Sequence, residues 1–67
     1  MPIVQIQLVA GRPPEKKRAL IQEVTDAVVR ALDAPRQSVR VILTEVAPEH
    51  FGVGGVTKAE GQAPGGT

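Results

Sequence analysis

Between Ile3 and Val9 the side chains alternate, with Val4, Ile6 and Leu8 on one face and Ile3, Gln5, Gln7 and Val9 on the other. A period of two predicts a strand with one face toward a core. Ala10-Gly11-Arg12-Pro13-Pro14 then reads as a turn, and Pro14 fits the first helical position, where a missing N–H costs nothing. Glu15 falls in the first turn, where the helix dipole favours negative charge. From Pro14 to Leu32 the apolar positions Leu20, Val24, Ala27, Val28 and Ala31 recur at spacings of three and four. That periodicity predicts an amphipathic helix with one buried stripe, edged by Lys17 and Ile21. Gln22, Asp26 and Arg30 mark its outer face, with Asp26 and Arg30 one turn apart as an ion pair. Val29 interrupts that face, either as an exposed valine or as a subunit contact. The helix ends at Asp33-Ala34-Pro35, because a residue before proline resists the α region.

Val39 to Val46 is apolar on both faces apart from Arg40, Thr44 and Glu45, the pattern of a strand in a covered sheet. A strand, a long helix and a second strand make a β-α-β unit of the α/β (α+β) class, with parallel strands and a right-handed crossover. One helix cannot cover both faces of a sheet, so the bare face is expected to meet another copy. Phe51-Gly52-Val53-Gly54-Gly55-Val56 reads as a short C-terminal hairpin that clasps a neighbouring subunit. Residues 1–58 form the expected domain. Residues 59–67 contain Gly61, Pro64, Gly65 and Gly66 but no core-forming side chain, and are expected to be a disordered tail.

Size sharpens the need for a partner. A chain of 67 residues gains about 90 kcal/mol from apolar burial and loses about 90 kcal/mol to ordering, so a lone subunit is marginal. Zero Cys and a single His remove disulfides and metal centres as staples, leaving a homo-oligomer. A net charge of +1 and one aromatic, Phe51, argue against a nucleic-acid groove. No run approaches the roughly 20 apolar residues of a membrane span. No signal peptide precedes the first strand, so a cytoplasmic protein is expected.

Most constellations that carry chemistry are missing, and no cofactor is expected. His50 alone is more often a surface residue than a base. Pro2, Arg12 and Arg40 remain. An initiator methionine before a small residue is usually trimmed, which would leave Pro2 with a free secondary amine. Such a nitrogen serves as base or nucleophile where its surroundings lower its pKa toward neutrality, whereas an amide nitrogen does neither. Arg40 interrupts an apolar strand, and its alternatives are an anion site or a plain salt bridge to Glu45 or Asp33 of its own or a neighbouring chain.

These residues carry a resemblance. Pro2-Ile3-Val4-Gln5-Ile6, Gly11-Arg12, Leu32-Asp33-Ala34-Pro35, Ser38-Val39-Arg40-Val41-Ile42, Thr44-Glu45 and His50-Phe51-Gly52-Val53-Gly54-Gly55 are together similar to the 4-oxalocrotonate tautomerases. The likeness covers residues 2 to about 56. It implies a β-α-β subunit, dimers assembled into a hexamer as a trimer of dimers, and active sites drawing on more than one subunit. Pro2 is then the general base that moves a proton along a conjugated dienol. Arg40 holds one carboxylate and polarises the neighbouring oxygen, Arg12 from a neighbouring chain grips the far carboxylate of a dianionic substrate, and Phe51 walls the pocket. The implied reaction is keto-enol tautomerisation of a 2-hydroxydienoate such as 2-hydroxymuconate, with a dicarboxylate or monocarboxylate dienol as substrate.

Two features depart from the pattern. Pro13-Pro14 replaces polar capping residues beside Arg12, and the segment after Val56 is glycine-rich rather than basic. The alternatives are a hydratase or dehalogenase of an unsaturated acid using the same proline, and a non-catalytic oligomer if Met1 is retained.

Overall fold

The computed structural model describes residues 1–61. Its main elements are β1 (Ile3–Val9), α1 (Pro14–Leu32), β2 (Arg40–Val46), a hairpin of β3 (Gly52–Val53) and β4 (Val56–Thr57), and a short helix α2 (Lys58–Gly61). Two 3-10 turns, Arg36–Ser38 and Pro48–His50, flank β2. The β-α-β unit and the hairpin are therefore as the hydrophobic pattern predicts.

β1 and β2 pair in parallel, from Ile3 opposite Arg40 to Val9 opposite Val46. Paired side chains share a face, so Val4, Ile6 and Leu8 lie with Val41, Leu43 and Glu45. This is the face under α1, where Lys17 Nζ reaches Glu45 Oε2 at 3.1 Å. The opposite face carries Ile3, Gln5, Gln7, Arg40, Ile42 and Thr44, every one of them exposed. Ile3 and Ile42 leave 51% and 47% of their surface open. No described residue reaches full burial, which is the structural form of the marginal core expected from chain length.

At the start of α1, Pro13 supplies an extended N-cap with Pro14 behind it and Glu15 in the first turn. At its end Asp33 adopts a left-handed conformation, φ 55°, as the terminating cap. Two expectations need correction. Asp26 pairs with Arg36 at 2.6 Å, not with Arg30, because the turn after Pro35 brings Arg36 back to the helix. The covered face also includes Thr25 and Val29, while Ala27 and Ala31 are exposed, so the stripe is rotated from its periodic position. α2 follows the hairpin directly, and within it the Glu60 N–H donates to Thr57 Oγ1 at 3.2 Å. The rest of the expected tail, residues 62–67, lies outside the described residues.

Gly54 and Gly55 form the two-residue turn between β3 and β4 with φ values of 61° and 85°. Positive φ at both central positions is the type I′ geometry that matches strand twist, and glycine adopts it without a Cβ clash.

Candidate active site

The four candidate residues separate into two pairs. Pro2 and Arg40 meet at the amino end of the parallel strands, where the Arg40 N–H donates to the Pro2 carbonyl at 2.9 Å. Arg12 and Phe51 lie beyond the carboxyl ends, Arg12 on the turn after β1 and Phe51 after the 3-10 turn that follows β2. The seven-residue strand between Pro2 and Arg12 spans about 23 Å at the usual rise of about 3.3 Å per residue. That is far longer than a six-carbon substrate. One subunit therefore does not bring the four residues into one site.

Nor do Pro2 and Arg40 share a face. Alternation places Pro2 with Val4 and Ile6 on the helix side and Arg40 on the bare side. Pro2 is half-buried, whereas Met1 before it is 70% exposed and lies outside the strand. With Met1 attached, the Pro2 nitrogen is a tertiary amide; its removal uncovers a secondary amine at the strand entrance.

Within its own subunit Arg40 has no salt bridge to Glu45 or Asp33. Glu45 is taken by Lys17, and Arg40 Nη1 instead donates to the Gln37 carbonyl at 3.1 Å. Among the described residues no carboxylate pairs with Arg40, so its charge is left for a ligand or another copy of the chain.

At the carboxyl end, Gly11 adopts φ 137°, a value that side chains rarely tolerate, and so turns the chain sharply after β1. Arg12 Nη1 then donates back to the Val9 carbonyl at 3.3 Å. A groove of about 420 Å³ opens beside it, lined by Gly11, Arg12, Pro13, Lys16 and Leu20. Pro13, the first of the two departing prolines, thus places a rigid wall next to Arg12.

Phe51 is half-buried and held by the hairpin that follows it, since the Lys58 N–H donates to its carbonyl at 2.8 Å. Lys58 Nζ lies 6.0 Å from the ring centroid, at the edge of cation–π range. Sequence reasoning missed Lys58 by ending the hairpin at Val56, and missed Lys16 because a lysine in a first helical turn looks like solvated surface. Its place four residues after Arg12 was the available signal.

A protein-family model described as "Tautomerase enzyme" matches residues 2–61, a span that contains Pro2, Arg12, Arg40 and Phe51. A 2-hydroxymuconate tautomerase of Pseudomonas putida is 58% identical over 55 residues, covering 82% of this chain and 87% of that protein. Among solved structures, a 4-oxalocrotonate tautomerase homologue of the tomaymycin biosynthetic pathway superposes with a TM-score of 0.90 at 38% identity. That match covers 94% of this chain and 98% of the other. A heterohexameric 4-oxalocrotonate tautomerase from Chloroflexus aurantiacus gives 0.87 at 37% identity, covering 92% of this chain and all of its own. A sequence match through both strands, the helix and the hairpin, joined to backbone agreement at this level, makes this chain a member of the tautomerase family.

Proposed function

We propose that the protein is a cofactor-independent isomerase that converts 2-hydroxymuconate, or a close 2-hydroxydienoate, into its conjugated 2-oxo isomer. The observation that carries the substrate is the 58% identity with a 2-hydroxymuconate tautomerase. In this reading Met1 is removed and the Pro2 nitrogen takes the proton of the enol hydroxyl. As the C=O bond forms, the conjugated electrons shift and the same nitrogen returns the proton to a distal carbon. Nothing is consumed, so proton and electrons balance within the substrate.

Pro2 is half-buried, and a ring nitrogen in an apolar setting, with arginines brought up by neighbouring subunits, suits this role because both disfavour its protonated form. Arg40 holds the carboxylate next to the reacting oxygen and stabilises the negative charge of the dienolate. Arg12 receives the distal carboxylate, and Phe51 excludes water from the space between. The separation of the two pairs along the strands requires the site to be completed by neighbouring subunits. A homo-hexamer built as a trimer of dimers, acting in the cytoplasm on products of aromatic-ring cleavage, accommodates that requirement.

The test begins with mass spectrometry of the mature amino terminus, which should lack Met1. Pro2→Ala should then lower kcat by about 100-fold or more, the usual scale of a lost general base, with the oligomer intact on size exclusion. Undiminished turnover by that variant would overturn the assignment.

A further inference from the structure

The groove beside Arg12 contains a second cation that the four-residue site does not use. Lys16 and Arg12 both line it, with Pro13 and Leu20 as apolar walls. The Lys16 backbone is set in the first turn of α1, where its N–H donates to the Pro13 carbonyl at 3.1 Å. Its neighbour Lys17 points the other way, toward Glu45 on the sheet. The ion pairs among the described residues are Lys17–Glu45 and Arg36–Asp26, which leaves both groove cations without a carboxylate partner.

Two unpaired cations against apolar walls repel one another, and the arrangement becomes favourable once an anion enters between them. A carboxylate has acceptor sites for both, a planar fork from arginine and a point charge from lysine. We infer that Lys16 is a specificity residue that contacts the distal carboxylate beside Arg12 and so biases the enzyme toward dianionic dienols. This rests on the tautomerase reading, and refines it by choosing the dicarboxylate over the monocarboxylate. Lys16 enters the site on the same subunit that donates Arg12, so the two act as one unit across the subunit boundary.

The experiment compares 2-hydroxymuconate with 2-hydroxypenta-2,4-dienoate, the same dienol without the distal carboxylate, in the mature wild-type, Lys16→Gln and Lys16→Arg enzymes. Lys16→Gln should move the ratio of kcat/KM values about fivefold against the dianion, the effect of losing a contact at the upper end for an exposed ion pair. The change should lie in KM rather than kcat, and Lys16→Arg should restore it. A ratio within twofold of wild type in Lys16→Gln, or an equal loss on both substrates, would overturn the role of Lys16 while leaving the tautomerase reading in place. A wild-type enzyme inactive on both substrates would overturn that reading and this inference with it.

Discussion

The two ends of the parallel strand pair are built on different principles. At the amino end Pro2 and Arg40 are tied by a rung of the sheet ladder, so their backbones are fixed by the same hydrogen bonds that make the fold. At the carboxyl end Arg12 hangs from a turn set by Gly11, and Phe51 is held by a 3-10 turn and a two-residue hairpin. In the proposed mechanism the base and its oxyanion partner sit on rigid backbone, and the residues assigned to select and enclose the substrate sit on loops. Loops carried on a rigid scaffold change at little cost to the fold, and Pro13, at the end of the loop that bears Arg12, is a change of that kind. The two ends function together only if the bare face of the sheet joins one copy to another.

Breaking that face should have the largest effect. Ile42→Lys places a charge among Ile3, Gln5 and Thr44 on the face proposed to meet a second copy, at a cost of about 3 kcal/mol or more once buried without a partner. Analytical ultracentrifugation should show monomers, with activity lost even though Pro2, Arg12, Arg40 and Phe51 are all present. A smaller effect should follow from straining the loop end alone. Gly55→Val forces a β-branched residue to φ 85° and should cost about 2 kcal/mol, read as a lower Tm and a raised KM while the oligomer persists. The smallest effect tests neither end. Asp26→Ala removes an exposed pair with Arg36 and should change stability by about 0.5 kcal/mol or less in urea unfolding, with kcat/KM unaltered.

Much of this arrangement is readable in the chain because period-two and period-3.6 patterns report directly on which face is covered. The bounds of β1 and α1, the parallel pairing and the glycine turn all follow from such local rules. What escapes local rules is anything set by where the chain returns. Asp26 has Arg30 one turn away, yet the turn after Pro35 delivers Arg36 to it instead. Ala27 and Ala31 share the periodic stripe, but the helix settles on its valine-rich flank, where larger side chains fill the space above the sheet. Lys58 looked like the edge of a tail until pairing of β3 with β4 returned it to Phe51. The candidate site divides in the same way. Pro2, Arg12, Arg40 and Phe51 are identifiable from sequence, while their separation into two ends of one subunit becomes visible only with the fold.

Whether the site is shared between subunits can be measured by complementation. Mature Pro2→Ala and Arg12→Ala chains are unfolded, mixed in equal amounts and refolded, and the activity of the mixture is compared with that of each variant refolded alone. If Pro2 and Arg12 of one site come from different chains, random assortment gives about a quarter of the sites both native residues, and about a quarter of wild-type activity returns. If both come from one chain, every site carries a lesion. Activity no greater than the average of the two parents would then contradict a site assembled across the subunit boundary.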